Sequence, residues 1–460
     1  MNLPSMEDYL KLKKYEANVP RYTSYPTAAQ FIPFESPDFF WENLGKSPSV
    51  PLSLYCHIPF CEKACYFCGC NTVITTRKEA ATQYLEALIQ NIEQWGSRVP
   101  SHRPATQLHW GGGTPNFLNP SQMEELFSRL KSSFNLTPDA EISIEINPSY
   151  IQKETLFLLR HLGFNRISFG IQDFDPLVQQ SVNRVQPEPL LFEVMGWIRE
   201  AGFESVNVDL IYGLPNQNPT SFAQTIQKTI RLNPDRIAVF HFAYVPWMKP
   251  LQLKLPKNAL PTTDQKLEMA FQTEVLLNQA GYVTIGMDHF AKATDELAKA
   301  QASKKLYRNF QGYTTQKHTE LLGMGTSAIS QLDLFYMQLS KNITDYTKKI
   351  QNHEIPGDKM CVLTPEDATR RAIIMELMCQ FEVNATLLLQ NHNLKLEKPL
   401  SLAFSEAYSY LKPLSDDGYV TLDSDGIVVS SKGRLLVRNI ASAFDGYFNP
   451  HSSERFSKSI

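Results

Sequence analysis

Short runs rich in β-branched residues alternate with longer amphipathic stretches along the first half of this 460-residue chain. Successive runs are far enough apart for a crossover helix, and in the first interval apolar residues recur every three or four positions from Leu85 to Trp95. Regular alternation of strand and helix is typical of a parallel sheet covered by helices. The predicted strands are Leu52–His57, Thr106–Trp110, Ile142–Ile146, Arg166–Gln172, Ser205–Tyr212 and Arg236–His241.

Six such units predict an α/β fold with an incomplete (β/α)6-type barrel, whose chemistry lies at the carboxyl ends of the strands. A further strand-like run, YVTIGM, begins at Tyr282. Beyond Thr364 the pattern favours helices over Pro365–Cys379 and Ser401–Leu414, then two short strands around an Asp-Gly turn and a last helix. We therefore expect three parts: an N-terminal arm (1–45), a partial barrel with its extension (46–350), and a small, mostly helical, winged-helix-like domain (360–460).

Charge and hydropathy exclude several classes of function and location. The formal net charge of -3 gives no general attraction to polyanions, and the last domain has no strong basic stripe, so we expect no nucleic-acid partner and read that domain as a lid or packing element. The first twenty residues do not resemble a secretory signal, and no window offers ~20 unbroken apolar residues. We therefore expect a cytoplasmic enzyme that does not enter a membrane.

Cysteines are concentrated in one short segment. Five of the seven fall inside fifteen residues, and HIPFCEKACYFCGC separates Cys61, Cys65 and Cys68 by three and then two residues. Such crowding in a reducing compartment favours metal ligation over disulfides. Three thiolates at this pitch can hold a [4Fe–4S] cluster and leave its fourth iron for an external ligand. The amino and carboxylate groups of S-adenosylmethionine can chelate that iron, and one electron then cleaves a C–S bond.

The alternative is a closed zinc site that adds Cys70, but zinc sites are commonly built from two separated ligand pairs, and no later pair follows. Cys70 is either a fourth ligand or a nearby thiol. We expect Cys56, Cys361 and Cys379 to be small buried hydrophobes.

A family resemblance rests on these motifs. CxxxCxxC after a first strand, Phe67 before the third cysteine and a downstream GGGTP resemble the radical S-adenosylmethionine superfamily. From about Tyr15 to the C-terminus the chain is similar, within it, to the family of oxygen-independent coproporphyrinogen III oxidases. The similar segments are PRYTSYPTA, YCHIPFCEKACYFCGCN, HWGGGTP, SIEINP, FGIQDF, VNR, VDLIYGLP, GMDHFA, RNFQGYTTQ, LLGMGTSAIS and KGRLLVRNI.

The resemblance implies two S-adenosylmethionine molecules beside the cluster. Residues implied at the first are Tyr55, Gly112, Glu145 and Ile329. Those implied at the second are Phe67, Gly113, Thr114, Gln172, Arg184, Asp209 and Ala243. The implied catalytic residues are Tyr55, Glu145, Phe310, Gln311 and Ile329.

Without the resemblance these residues have plainer interpretations. Glu145 could face solvent, Arg184 and Asp209 could form a rim ion pair, and RNFQGYTT could pack against the barrel. Glycines such as Gly111 could form a tight turn, although they also let a backbone approach a ligand closely.

The implied activity is the oxygen-independent oxidative decarboxylation of two propionates of coproporphyrinogen III to vinyl groups. A 5′-deoxyadenosyl radical would take hydrogen from the propionate β-carbon, and loss of carbon dioxide and one more electron would leave the alkene. This implies an unidentified electron donor and acceptor, and we expect a monomer. The arm residues Arg21–Tyr25 suit a substrate with four carboxylates. The other reading is a haem chaperone on the same fold, which would deliver haem instead of making a porphyrin.

Overall fold

The computed structural model describes residues 5–392, 394, 396–449 and 456–459. Parts of the expected arm and C-terminal domain, namely 1–4, 393, 395, 450–455 and 460, lie outside the described residues. The chain divides into two units, each described by itself below. The cysteine unit comprises Phe31–Asp209 and His318–Val362, and the terminal unit comprises Met1–Gln30, Leu210–Lys317 and Leu363–Ile460.

The strands, in chain order, are β1 (Ile32–Pro33), β2 (Leu52–Ile58), β3 (Phe60–Cys61), β4 (Val73–Ile74), β5 (Pro104–Gly112), β6 (Asn135–Ile146), β7 (Arg166–Gln172), β8 (Ser205–Tyr212), β9 (Arg236–His241), β10 (Tyr282–Gly286), β11 (His289–Lys292), β12 (Tyr307–Asn309), β13 (Gly312–Thr314), β14 (Glu320–Met324), β15 (Ile329–Leu332), β16 (Phe335–Leu339), β17 (Gly357–Val362), β18 (Glu382–Asn384), β19 (Val420–Leu422) and β20 (Gly426–Val429).

The α-helices, in chain order, are α1 (Met6–Lys11), α2 (Pro37–Lys46), α3 (Glu79–Gly96), α4 (Pro120–Ser133), α5 (Lys153–Leu162), α6 (Pro176–Ser181), α7 (Glu188–Ala201), α8 (Pro219–Leu232), α9 (Thr263–Gln279), α10 (Glu296–Ala302), α11 (Ile343–Gln351), α12 (Pro365–Gln380), α13 (Ala385–His392), α14 (Leu400–Ala403), α15 (Ser405–Asp416) and α16 (Val437–Ser442).

The sheet of the cysteine unit has a parallel half and an antiparallel half. Strands β14, β2, β5, β6 and β7 pair in parallel in that order. Beyond β14 the strands β15, β16, β17 and β1 continue the sheet in antiparallel pairs. Strand β1 is an edge, so the sheet is not closed on itself. This agrees with the predicted partial barrel, although the antiparallel half was not predicted.

Crossover helices follow the parallel strands as expected. Helix α3 connects β2 to β5, α4 connects β5 to β6, and α5 connects β6 to β7. The predicted apolar face of α3 is confirmed, because Leu85, Leu88, Ile92 and Trp95 are all buried. Burial of such a stripe against the sheet stabilises each unit of the barrel.

Alternation along the strands separates a core face from a site face. On β2 the side chains of Leu54, Cys56 and Ile58 are fully buried, and Trp110 on β5 is buried as well. The intervening residues carry polar side chains. Cys56 is therefore the small core residue that the sequence predicted, and Cys361 and Cys379 are likewise buried.

The terminal unit has its own core. Strands β9, β11 and β10 pair in antiparallel order, β12 and β13 form a hairpin, and β18, β20 and β19 form a small sheet. Buried residues of α12, α15 and α16 pack together with Tyr22 and Tyr25 of the arm. The two strands around the Asp-Gly turn and the last helix are confirmed, whereas β18 was not predicted.

One predicted helix is two helices in the structure. The expected helix Ser401–Leu414 is interrupted at Phe404, whose φ of -124° and ψ of 46° lie outside the helical region. At the interruption the ring of Phe404 packs edge-on against Phe444, with ring centroids 5.6 Å apart. The expected domain boundaries stay a prediction. Among the described residues no helix is both long enough and apolar enough to cross a membrane.

A buried ion pair joins the starts of the strands that flank β2. Arg103 immediately precedes β5, and its Nη2 donates to Glu320 Oε2 on β14 over 2.5 Å. Its Nε and Nη1 donate to the carbonyl oxygens of Val50 and Leu44. Both charged side chains are nearly inaccessible to solvent. Removal of one partner would therefore leave an uncompensated buried charge.

We expect Arg103→Met to lower the free energy of unfolding by about 3–5 kcal/mol, because Glu320 would then be buried without its cation. The matched control is Arg129→Met, which breaks an exposed ion pair with Glu93 and should cost at most about 1 kcal/mol. Urea unfolding followed by circular dichroism measures both. Equal losses in the two variants would contradict this account of the pair.

Candidate functional site

The cysteine loop begins where β2 ends and is held at both sides. Strand β3 pairs in parallel with β4 and so closes the loop from Cys61 to Ile74. Farther along, the amide of Tyr66 donates to the carbonyl of Val182 over 3.0 Å, and Asn183 Nδ2 donates to the carbonyl of Ala64 over 2.8 Å. The loop is therefore fixed to the segment that follows α6.

Each of the three predicted ligand thiols has a polar neighbour. Cys61 Sγ lies 3.4 Å from the hydroxyl of Thr114, and Arg184 Nη1 lies 3.6 Å from Cys65 Sγ. Cys68 Sγ accepts the amide hydrogen of Cys70 over 3.4 Å. Burial raises the pKa of Cys61 to about 11, with the Thr114 hydroxyl acting in the opposite direction. A nearby cation such as Arg184 favours a thiolate.

The donor set of the loop fits an iron–sulfur cluster. None of the three thiols forms a disulfide, and all three are partly exposed. Within the described part of the chain, no group of three or more His, Cys, Asp or Glu side chains could hold a single metal ion. Cysteines of a cluster each bind a different iron, so they do not need to converge on one point.

A polar row crosses the sheet on its site face. Tyr55 on β2 is opposite His109 on β5, which is opposite Ser143 on β6. The rings of Tyr55 and His109 stack with centroids 5.9 Å apart, and His109 Nδ1 lies 2.6 Å from Ser143 Oγ. Parallel pairing in register thus places three polar side chains side by side.

The hydroxyl of Tyr55 is oriented by His57. Tyr55 Oη lies 3.0 Å from His57 Nδ1, and His57 Nε2 lies 3.0 Å from the carbonyl oxygen of Asn71. A carbonyl can only accept, so Nε2 carries the hydrogen. Burial lowers the pKa of His57, which keeps the ring neutral. Nδ1 therefore accepts from Tyr55, and the lone pairs of Tyr55 remain available to a ligand.

Glu145 ends the same row as a carboxylate whose side chain is about half exposed. Burial alone would raise its pKa, but the interaction with His109 and the amide of Gly112 hold that pKa below its usual range. His109 Nε2 lies 3.5 Å from Glu145 Oε1, and the amide of Gly112 donates to Oε2 over 3.3 Å. Glu145 is therefore a charged acceptor at the end of the polar row, and its role as a ligand contact stays a prediction.

The glycine run gives close backbone approach. Gly112 has a φ of +118°, and a Cβ there would lie 2.7–2.9 Å from the ring atoms of His57. The amide of Gly113 donates to the carbonyl of Ile58 over 2.8 Å, and a Cβ at Gly113 would lie 2.6 Å from the carbonyl oxygen of Pro59. These contacts support a functional reading of the glycines, because a side chain would separate this run from the cysteine loop.

Further predicted residues lie at the ends of β7 and β8. Gln172 has a φ of +69°, and its buried Oε1 has no hydrogen-bond partner among the described residues. Arg184 Nη2 donates to the carbonyl of Gly170 over 2.7 Å. Asp209 Oδ1 accepts from Asn207 Nδ2 over 2.8 Å. Phe67 is a partly buried residue of the cysteine loop itself.

Ile329 reaches the site through β14. Gly323 on β14 is opposite Tyr55, and a Cβ on Gly323 would lie 2.7 Å from the carbonyl oxygen of Ile329. Within the cysteine unit the structure thus brings Ile329, Tyr55 and Glu145 to one face of the sheet.

The other predicted residues belong to the terminal unit. Phe310 and Gln311 form the two-residue turn between β12 and β13, where the amide of Gln311 donates to Asn309 Oδ1 over 2.8 Å. Ala243 follows β9, and its carbonyl accepts from Gln252 Nε2 over 3.0 Å. These positions are turns and loops and not core elements.

The arm is anchored in the terminal unit mainly by its hydroxyls. Tyr22 donates to Asp445 over 3.0 Å, Ser24 donates to the carbonyl of Pro26, and Tyr25 accepts from the amide of Gly446. Arg21 forms an ion pair with Asp288 and keeps 30% of its side chain exposed. Of these four residues, Arg21 is therefore the one that a ligand can reach.

Sequence reasoning missed the residues that support the predicted ones. His57, His109 and Ser143 were not selected, although His57 and Ser143 lie two residues from Tyr55 and Glu145 on the same strands, and His109 lies two residues before Gly111 on β5. A period of two from a known site residue would have identified them.

Two family models match the chain. The model for the radical SAM superfamily covers residues 55–229, and the model for the HemN C-terminal domain covers residues 363–436.

Curated relatives and a solved structure match over nearly the whole length. An oxygen-independent coproporphyrinogen III oxidase of Synechocystis sp. is 51% identical, over 98% of this chain and 97% of the relative. The protein of the same name from Escherichia coli is 44% identical over 98% of each chain. The crystal chain described as coproporphyrinogen III oxidase (HemN) from Escherichia coli, a radical SAM enzyme, aligns with a TM-score of 0.91 at 45% identity, over 95% of this chain and 99% of that one.

We expect Gly112→Ala to destabilise the protein by about 1–3 kcal/mol, because alanine disfavours a positive φ and its Cβ would meet the His57 ring. Thermal unfolding measures the change. The matched control is Gly196→Ala inside α7, where a Cβ meets nothing within 4 Å, and where the change should be neutral or slightly stabilising. Equal midpoints for the two variants would be inconsistent with the close approach at Gly112.

Proposed function

Because this chain belongs to the radical SAM family of oxygen-independent coproporphyrinogen III oxidases, we propose that it converts two propionates of coproporphyrinogen III into vinyl groups without oxygen. The product is protoporphyrinogen IX. The observation that carries the proposal is the loop of three cysteines outside any disulfide, near an ionised glutamate, in a chain that is 51% identical to a relative of that name.

Cys61, Cys65 and Cys68 would hold a [4Fe–4S] cluster in this reading. Arg184 would offset the negative charge of the cluster through its contact with Cys65, and Thr114 would donate to Cys61. The cluster and S-adenosylmethionine, when bound, supply a radical able to take hydrogen from an unactivated C–H bond. An acid–base side chain could not abstract this hydrogen. The residues around the loop therefore serve to bind and orient the cluster, the cofactor and the substrate.

At the first S-adenosylmethionine, Glu145 would accept a hydrogen bond from the amino group, and the Gly112 backbone would allow close approach. Tyr55 has free lone pairs on its oxygen because its hydrogen is directed at His57, and Ile329 would supply an apolar contact to the ligand. His57, His109 and Ser143 fix these groups and do not themselves need to contact the ligand. A site that is preorganised in this way loses little entropy when the ligand binds.

For the second S-adenosylmethionine, the cysteine unit offers residues around the cysteine loop. Gln172 Oε1 is a buried acceptor without a partner among the described residues, so a donor from a ligand would satisfy it. Arg184 suits a carboxylate, and Asp209 suits ribose hydroxyls. The remaining proposed contacts are Phe67, Gly113, Thr114, Ala243, Phe310 and Gln311.

The reaction removes electrons from the substrate, so an electron acceptor and a donor for the cluster are required. We assign both to external partners. We also propose a monomer in the reducing cytosol, where seven cysteines outside disulfides are stable.

The direct test incubates anaerobically reconstituted protein with a reductant, S-adenosylmethionine and coproporphyrinogen III. We expect 5′-deoxyadenosine and a divinyl porphyrin to form together. Cys65→Ser should lose most of its iron and both products, because a serine hydroxyl is a poor ligand for iron. The matched control is Cys361→Ser, a buried cysteine outside the loop, which should keep its cluster. Stoichiometric haem binding without turnover would instead identify a haem chaperone.

We expect Glu145→Gln to weaken S-adenosylmethionine binding by roughly ten- to a hundredfold, because a charge-assisted hydrogen bond from the amino group to the carboxylate would be lost. Equilibrium dialysis on the reconstituted protein measures this without turnover. Glu141→Gln is the matched control, since Glu141 lies on the same strand but pairs with Arg166 over 3.1 Å. Unchanged affinity in Glu145→Gln would remove Glu145 from the proposed site.

A further inference from the structure

Arg308 is a buried cation whose donors are not satisfied by the protein. Its relative exposure is 4%, and neither Nε nor Nη1 has a hydrogen-bond partner among the described residues. The other buried arginines behave differently. Arg438 donates to the carbonyl of Pro20 and to Ser457 Oγ, and Arg103 donates to Glu320 and to two carbonyls. Buried guanidinium groups are normally paired or fully hydrogen-bonded, so Arg308 lacks an acceptor.

The position of Arg308 is fixed by the β12–β13 hairpin. Arg308 is opposite Tyr313, and its guanidinium lies 4.6 Å from the centre of that ring. Tyr313 donates to the carbonyl of Met378 over 2.9 Å, and Gln380 Nε2 donates to the carbonyl of Leu306 over 2.8 Å. Both contacts attach the hairpin to α12. The ring of Tyr313 covers one face of the guanidinium but accepts no hydrogen bond from its in-plane N–H groups.

Acidic side chains in its surroundings are already engaged. Asp288, the carboxylate whose pKa the charge of Arg308 helps to lower, is held by Arg21 and by His289 Nδ1 at 2.8 Å. Glu376 of α12 lies 3.5 Å from both Lys317 Nζ and His392 Nε2. Cys379 is a neutral thiol, because burial raises its pKa. None of these three groups is therefore left to serve as the acceptor of Arg308.

A continuous stack of rings connects Arg308 to the arm. Tyr313 meets His289 edge-on with centroids 5.1 Å apart, and His289 meets Phe240 edge-on at 5.7 Å. Arg21 lies over the opposite end, 5.5 Å from the Phe240 ring. One guanidinium group therefore lies at each end of this aromatic stack. Arg308 lies at one end, and Arg21, which pairs with Asp288, lies at the other.

We propose that Arg308 binds a carboxylate of the ligand, a propionate of the tetracarboxylic substrate. This inference rests on the proposed function and extends it by a specificity residue. A guanidinium presents two parallel donors to a carboxylate, which satisfies the N–H groups that the protein leaves unfilled. Phe310 and Gln311, two proposed site residues, form the turn of the same hairpin. Arg308 lies two residues before Phe310.

The test measures binding of coproporphyrin III, the stable oxidised form with the same four propionates, to anaerobically reconstituted protein by fluorescence quenching. Arg308→Met should raise the Kd for coproporphyrin III at least about tenfold. Arg308→Lys keeps the charge but not the two parallel N–H donors, so its Kd should lie between those of the wild type and Arg308→Met. The matched control is Lys304→Met, an exposed cation of the preceding segment that pairs with Glu382. Its Kd should stay within about twofold of the wild type.

Binding of S-adenosylmethionine to the same variants, measured by equilibrium dialysis, shows that they are folded and distinguishes two carboxylate sources. Unchanged uptake with weakened porphyrin binding supports the proposal. Loss of S-adenosylmethionine with intact porphyrin binding would assign Arg308 to the amino-acid carboxylate and overturn it. Equal porphyrin affinities in wild type, Arg308→Met and Arg308→Lys would overturn the role of Arg308 alone. A wild-type protein that fails to bind the porphyrin would overturn the proposed function as well.

Discussion

The in-register parallel pairing of β2, β5 and β6 is the constraint on which the proposed site depends. It places Tyr55, His109 and Ser143 in one row, and Glu145 lies two residues beyond Ser143 on the same face. A shift of one residue in any of these strands would turn its polar side chains into the core and its apolar ones toward the ligand. The fully buried Leu54, Cys56 and Trp110 oppose such a shift, because each would lose its apolar contacts. Core packing therefore sets the geometry of the site.

The glycine run contacts the cysteine loop and so fixes the loop relative to the strands. Gly113 donates to Ile58 at the end of β2, and the space for its Cβ is filled by the carbonyl of Pro59. The backbone before Cys61 thus lies directly against the backbone before Thr114, and the two side chains come within 3.4 Å. Because carbonyl oxygens cannot move aside as a flexible side chain could, this contact tolerates no substituent. The proposed cluster and ligand sites therefore share one rigid junction.

Local sequence patterns predicted the parallel strands well. The bounds of β7, β8 and β9 agree to the residue, since each is a short apolar run bounded by clear breaks. Strands β14 to β17 escaped prediction, because their pairing with β2 and with one another is a long-range choice that local periodicity does not encode. The residues of the site also fall into two groups, those that local sequence predicts and those whose role depends on long-range contacts. Cysteine spacing predicted a cluster directly, whereas His57, His109 and Arg308 acquire meaning only from their neighbours in three dimensions.

Two buried arginines illustrate how charge organises the terminal unit. Arg438 forms no ion pair with the carboxylates of the described residues, but it donates to the carbonyls of Val19, Pro20 and Lys458, and burial lowers its pKa to about 9. Those bonds fix the arm one residue before Arg21, which can then reach Asp288. Arg308 has no such ring of carbonyls. A guanidinium satisfied by the backbone holds the fold together, whereas one left with open donors in a fixed hairpin is suited to recognise a carboxylate that arrives with the ligand.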